Sequence, residues 1–203
     1  MPAPRDIREY VQEFCREIAP LGEPIYLAVT PSDQDALLDC FVNVERKIAE
    51  SGGDIQYGWR IWEWVNTLIE AEFHAVWRSP DGNLIDVTPA PHDYLRVLFL
   101  PDNGTVYEGR QVDNIRKALI QNPLVDEFIQ LWRDKFEIEN RGDRANMHGV
   151  MELQGKDAAR FDFIQRRIAM ILRLLSLCPC GSFVRFYRCC GMANCLSHES
   201  ACR

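Results

Sequence analysis

The chain has 203 residues, 47% apolar and 26% charged, a composition that can bury a core and is not that of a disordered segment. Lys plus Arg number 23 against 30 Asp plus Glu, and the formal net charge of −7 argues against general binding to a phosphate backbone. The longest apolar runs, such as Ile168 to Leu172, fall far short of the ~20 residues that cross a bilayer, and Met1 to Ile18 is too charged for a signal peptide; the expectation is a cytoplasmic protein with no membrane partner.

Ile7, Tyr10, Val11, Phe14 and Ile18 recur at helical spacing and predict an amphipathic helix, which Pro20, Gly22 and Pro24 end. Ile25 to Val29 reads as a short strand. Pro31 and Ser32 open a second helical segment to about Glu50, where Gly52 and Gly53 stop it. Ile55 to Trp64 and Thr67 to Trp77 are aromatic and β-branched and predict two strands. Tyr57, Trp59, Trp62 and Trp64 crowd the first of them, as side chains that pack a core or wall a pocket. Ser79-Pro80-Asp81-Gly82-Asn83 is a turn, Leu84 to Thr88 a third strand and Leu95 to Leu100 a fourth. The predicted class is α+β: a helix carrying Cys40 packed on an antiparallel sheet of about four strands.

After Pro101-Asp102-Asn103-Gly104 the pattern turns helical. Val112 to about Gln121 reads as one helix, and Asn122-Pro123 interrupts it. Leu124 to Glu139 follows, with Leu124, Phe128, Trp132 and Phe136 on one face. Arg141 to His148 reads as loop, and Lys156 to Leu177 as a last helix striped by Phe161, Ile164, Ile168, Ile171 and Leu175. The expected organisation is an α+β core over 1–105, a helical segment over 106–176 and a small tail over 177–203.

Eight cysteines are present, and six of them fall in the last 26 residues. Clustered cysteines in a cytosolic chain point to a metal rather than to disulfides. Cys178-Pro179-Cys180-Gly181-Ser182 is followed, after Phe183 to Arg188, by Cys189-Cys190-Gly191. Four thiolates so spaced match the tetrahedral set of structural Zn²⁺ and leave no open position for catalysis. The run C-P-C-G-S…C-C-G resembles the SEC-C motif, the zinc tail that ends the SecA protein-translocation ATPase and is appended to many bacterial proteins. The resemblance implies Cys178, Cys180, Cys189 and Cys190 as zinc ligands, and a possible protein partner for the tail. Phe183 and Val184 stand where that motif commonly has a glycine and a basic residue. Cys195, His198 and Cys202 lie beyond it, either as a second metal site or as ordinary terminal residues.

A second constellation lies in the body. Asp39-Cys40-Phe41-Val42 sits in the second helical segment; if the helix starts close to Cys40, its free amides favour a thiolate, and if it starts at Ser32, with Asp35 completing a capping box, they do not. Strict alternation in Ile69 to Trp77 sets Glu70, Glu72, His74 and Val76 on one face, read as a solvated polar face. A hairpin symmetric about Pro80 sets His74 directly opposite Asp86, where a carboxylate can orient an imidazole. Cys40, His74 and Asp86, separated by 34 and 12 residues, are then a nucleophile, a base and an orienting group.

This order resembles the transglutaminase-like branch of the papain-like cysteine hydrolases, in which a cysteine on a helix is followed by a histidine and an aspartate on successive strands. Phe73-His74-Ala75-Val76-Trp77 and Leu84-Ile85-Asp86-Val87-Thr88-Pro89 carry the likeness, over roughly residues 32–100. C-F-x-N-V, G-W-x-I-W-E and E-A-E-F-H-A-V-W also resemble a group of bacterial proteins with a C-terminal SEC-C motif. The resemblance implies a cysteine hydrolase or acyltransferase acting on an amide of a protein or peptide. Gln34, six residues before Cys40, occupies the place of an oxyanion-stabilising glutamine. His92 and His148 have no evident partner. The alternative is a non-enzymatic module that binds a protein through its zinc tail. Arg185-Phe186-Tyr187-Arg188 interleaves basic and aromatic residues, but nucleic acid is not expected on so acidic a chain.

Overall fold

A computed structural model of the chain describes residues 1–33, 35, 39–89, 94–146, 152–178 and 184–189. It is an α+β structure that divides into two compact units, Met1–Ile120 and Gln121–Arg203. None of its described helices is long and apolar enough to cross a membrane.

The first unit is built on a six-stranded antiparallel sheet. Its strands are β1 (Ile25–Ala28), β2 (Asp54–Trp64), β3 (Leu68–Arg78), β4 (Leu84–Ile85), β5 (Arg96–Pro101) and β6 (Ile115–Ala118). The order is β1-β5-β2-β3-β4, and β6 adds to β3. Beyond β4 the chain leaves β3 and bridges Asp86 in parallel to Val29, just past β1, so the sheet nearly closes on itself. The bridge is made by Thr30 N–H donating to the Asp86 carbonyl at 2.8 Å and Asp86 N–H donating to Ala28 at 3.2 Å.

The long β2–β3 hairpin turns at Asn66, whose φ of 54° uses the left-handed region that asparagine tolerates. Alternation along these strands sorts the core. One face carries Trp59, Ile61, Ile69, Ala71, Phe73, Leu98 and Leu100, packed under helix α1 (Glu9–Ile18) through Val11, Phe14 and Cys15. Burial of Cys15 among them pushes its thiol up to about 12, the state of an unreactive core residue. The face away from the helices gathers Leu27, Trp62, Val76, Val97 and Phe99.

Helix α2 (Cys40–Ser51) sets Cys40 and Val44 on Ala75, Trp77 and Val87. It does not begin at Ser32. The Ser32 amide does donate to the Asp35 carboxylate, half of a capping box, yet Asp39 is still non-helical and the first helical residue is Cys40. Gly52 and Gly53, with φ of 69° and 90°, turn the chain out of α2 into β2.

The stretch read as a helix over Val112 to Gln121 is instead β6, so the segment over 106–176 is not helical throughout. Ile115, Ala118 and Leu119 mimic a helical face at spacings of three and four. The free edge of β3 decides the matter: β6 pairs with it from Leu68↔Ala118 to Ala71↔Ile115.

The second unit contains α3 (Pro123–Glu139), a 3₁₀ turn at Gly142–Asn146, α4 (Gly155–Leu175) and a 3₁₀ turn at Phe186–Arg188. Asn122 caps α3 by accepting the Leu124 amide at 2.9 Å, and Pro123 takes the first helical position. The buried face of α3 runs through Val125, Phe128, Ile129, Leu131 and Ile138, rotated from the predicted stripe, of which only Phe128 is buried. That of α4 is Ile164, Ile168, Ile171 and Leu175, and each such side chain contributes about 1.5–3 kcal/mol on burial. Arg167 forks onto Glu127 at 2.6 and 2.8 Å across the two helices.

Candidate functional site

The outer edge of β3 is paired only at its ends: β6 covers Leu68–Ala71, and β4 covers Trp77 and Arg78. Between them, residues 72–76 have no strand on that side among the described residues. His74 lies in the middle of this interval.

The register differs from the one expected. Trp77↔Ile85 and Arg78↔Leu84 centre the hairpin on Asp81, one residue beyond Pro80. Continued, that register sets His74 level with Thr88, and Asp86 level with Val76, two pairs nearer the turn. His74 Nε2 therefore reaches the Asp86 carboxylate along a diagonal, 3.1 Å from Oδ1 and 3.2 Å from Oδ2. Both side chains are buried, at 2% and 0% relative exposure.

A third charged group completes the cluster. Arg60 of β2, itself 1% exposed, donates from Nε to Asp86 Oδ2 at 2.8 Å, from Nη2 to the same oxygen at 2.7 Å and to the Thr88 carbonyl at 2.9 Å. The Thr88 amide donates to Asp86 Oδ1 at 3.0 Å. Asn43, in the first turn of α2, donates to Thr88 Oγ1 at 3.4 Å and ties that helix to the same loop. Arg60, Thr88 and Asn43 escape a reading of the sequence alone. The signal available for Arg60 was a single cation alternating with Gln56, Gly58 and Trp62 on the face of β2 away from the helices.

Burial of the imidazole disfavours its charge, but the Asp86 carboxylate outweighs this, and His74 is pushed up to about 9; the Arg60 charge opposes the rise and a thiolate at Cys40 adds to it. For Asp86, burial alone would raise the carboxyl, and His74, Arg60 and the Thr88 amide together hold it below the usual carboxylate range. The predominant state at neutral pH is an imidazolium beside a carboxylate.

Cys40 stands at the first position of α2, 7% exposed, and packs on Ala75, whereas His74, the residue before it in β3, turns to the opposite face of the sheet. Its charge is felt at the imidazole, but no hydrogen bond joins the thiol to it. The structure thus joins His74 to Asp86 and leaves Cys40 on the helix-covered face of the sheet, packed on Ala75, Trp77 and Val87. Gln34, His92 and His148 lie outside the described residues.

The polar face of β3 is not the solvated one expected. Glu70 is 9% exposed, its carboxyl pushed up by burial and held back by Arg116 at 2.9 Å and Asn114 at 2.8 Å. Glu72 accepts from Trp62 Nε1 at 2.7 Å. These carboxylates are spent on structure.

In the second unit, Leu177 and Arg185 form an antiparallel bridge, and the Cys178 amide donates to Val184 at 2.8 Å. Tyr187 Oη accepts from Asn122 at 3.0 Å, tying the tail to the start of α3. Cys178 is 4% exposed and in no disulfide, and Cys189 is half-buried. Cys180, Cys190, Cys195, His198 and Cys202 lie outside the described residues. Among those described, no three His, Cys, Asp or Glu side chains cluster to hold a metal.

Comparison with protein-family models, with curated proteins and with solved structures finds no match to this chain.

Proposed function

We propose that the protein is a cysteine hydrolase or acyltransferase acting on an amide, in a peptide, an isopeptide or a glutamine side chain, with Cys40 as nucleophile, His74 as acid and base, and Asp86 as the group that orients His74. The observation that carries this reading is the buried His74–Asp86 pair at 3.1 Å, lying in the interval of β3 that no described strand covers, with Cys40 at the first position of the helix packed on the neighbouring Ala75.

In the proposed reaction Cys40 Sγ attacks the amide carbonyl carbon. His74 gives its proton to the departing nitrogen, the C–N bond breaks, and a thioester to Cys40 forms. His74, now neutral, takes a proton from water or from an acceptor amine as that nucleophile attacks the thioester, and the thiolate is released. Asp86 holds the ring through Nε2 in both steps, and Arg60 holds Asp86 ionised.

Cys178, Cys180, Cys189 and Cys190 would hold a structural zinc ion, which supplies a cross-link for a segment too short to have its own core. The donor chemistry fits: Cys178 is buried without a disulfide partner, and just before it Leu177 bridges Arg185. A protein-binding module remains the second reading. It is favoured by one observation, that Arg60 already satisfies Asp86 without any part for Cys40.

Alkylation decides between them. With iodoacetamide at about pH 6.5, Cys40 should label rapidly, and His74→Ala should slow it about tenfold or more. An inert Cys40 in the folded wild-type protein, or a rate indifferent to His74, removes the enzyme reading and leaves the binding module.

A further inference from the structure

Phe41 follows Cys40 and rests on an aromatic surface. Its ring lies 6.0 Å from Phe73 and 6.3 Å from Tyr57, and those two are 6.1 Å apart at an interplanar angle of 18°. Trp59 meets Phe73 edge-on at 5.2 Å. The outer side of Phe41 is covered by one group, the ring of Tyr107, stacked at 3.6 Å and 7°.

Tyr107 comes from the segment between β5 and β6. That segment is anchored where it leaves the sheet. Asp102 accepts from Trp59 Nε1 at 3.0 Å and from the Gly104 amide at 2.7 Å, and its own amide donates to Tyr57 at 3.0 Å. Past this anchor the hold is slight. From Val106 to Arg110 no hydrogen bond to another described residue is made, Gly109 has a φ of 78°, and Val106, Glu108, Gly109 and Arg110 are exposed. Tyr107 alone turns inward. Its phenol is pushed up by partial burial and by the charges of Cys40, Asp39 and Glu45; Asp39 precedes α2 and the exposed Glu45 lies one turn on from Phe41.

We infer that Tyr107 is an internal occupant of an aromatic subsite beside Cys40, and that Phe41 with Tyr57 and Phe73 receives an aromatic side chain of the substrate once Tyr107 swings out. The inference rests on the proposed reading of Cys40 as the nucleophile. The substrate class it names is a peptide with an aromatic residue next to the amide that reacts. A flat ring on a flat ring is the contact such a side chain reproduces, and an aliphatic one does not. Asp39 and Glu45 disfavour an acidic neighbour in that peptide. The swing needs no break in the sheet, because the Asp102 anchor stays in place.

The test is equilibrium binding of N-acetyl-L-tyrosinamide, followed by saturation-transfer NMR. If Tyr107 fills the subsite nine-tenths of the time, Tyr107→Ala should bind the probe about tenfold more tightly than wild type. Tyr107→Phe, which keeps the stacked ring, should behave as wild type. N-acetyl-alaninamide should bind none of them measurably, and Phe41→Leu added to Tyr107→Ala should abolish the gain. Equal binding by wild type and Tyr107→Ala, or a gain that survives Phe41→Leu, overturns the subsite. Because this binding involves no thiol chemistry, it decides the subsite even if alkylation removes the reading of Cys40 as nucleophile.

Discussion

Arg60 and His74 divide one buried carboxylate between them: the guanidinium takes Asp86 Oδ2 at 2.8 Å, and the imidazole approaches Oδ1 at 3.1 Å. The three residues come from three places in the chain, and each is almost wholly buried. A buried charge left without its partner is costly. Asp86→Asn should therefore lower the unfolding free energy by about 3–5 kcal/mol in urea titrations, since it strands Arg60. Adding Arg60→Met should restore part of the loss, and the double-mutant cycle gives the coupling directly. A loss for Asp86→Asn under about 1 kcal/mol would mean that the guanidinium is reached by water.

The same cluster sets the direction of a pH effect. The folded-state value of His74, about 9, lies above its ordinary 6.5. A group raised on folding contributes stability that is complete below its unfolded value and is lost as pH climbs through the folded one. Asp86 is shifted downward from 3.8, so its contribution is present above that value and is lost in acid. The urea midpoint should be flat near pH 5–6 and fall between about pH 6.5 and 9, by on the order of 3 kcal/mol in all. His74→Gln should flatten that slope. A free energy that instead rises up to about pH 6.5 and is flat above it would mean the imidazole is buried neutral.

Gly58 is the cross-strand partner of His74, and its missing side chain is a steric requirement. A Cβ there would stand 2.3 Å from the Leu100 carbonyl oxygen and 2.5 Å from Phe99 Cζ. Phe99 is the ring that meets His74 edge-on at 6.5 Å. Gly58→Ala should cost at least about 2 kcal/mol and displace the Phe99 ring. In the protein that still folds, the His74 ring signals in NMR should shift. Unchanged stability would show that Phe99 can vacate the space freely.

How much of this was legible in the sequence depends on whether a residue's role is local. β2 and β3 could be read because aromatic and β-branched residues alternate along both. The end of α1 and the cap of α3 could be read because Pro20, Asn122 and Pro123 act on their own neighbours. β6 could not, because its strand character comes from the edge of β3, more than forty residues earlier. The start of α2 was misplaced for a related reason: Ser32 and Asp35 make the local bond of a cap without a helix behind it. His74 and Asp86 were chosen from a pattern, and the structure pairs them in a different register from the one assumed. Arg60 carried no local mark, since nothing in a single strand says that its cation lies under a carboxylate twenty-six residues on.

The tail offers the last test, and it turns on chemistry rather than on packing. Among the described residues the tail is held by the Leu177–Arg185 bridge, the Cys178 amide on Val184, Arg185 Nη1 on the Leu175 carbonyl at 2.5 Å and Tyr187 on Asn122. The Phe186 amide also donates to the Ser176 carbonyl at 2.8 Å, and Cys178 is buried and in no disulfide. Four thiolates on one zinc ion would supply the missing cross-link. The purified protein should then carry about one zinc per chain by elemental analysis, and Cys178→Ser or Cys189→Ser should lose it while Cys15→Ser keeps it. Chelation should expose the tail thiols to alkylation and leave the helical signal of α3 and α4 nearly unchanged, because those helices are held by Ile164, Ile168, Ile171 and their partners across the pair. Stoichiometric zinc retained by both serine variants would place the metal elsewhere in the chain; zinc absent from fresh wild-type protein, with all four thiols open to reagent, would leave the tail to be explained by its few hydrogen bonds alone.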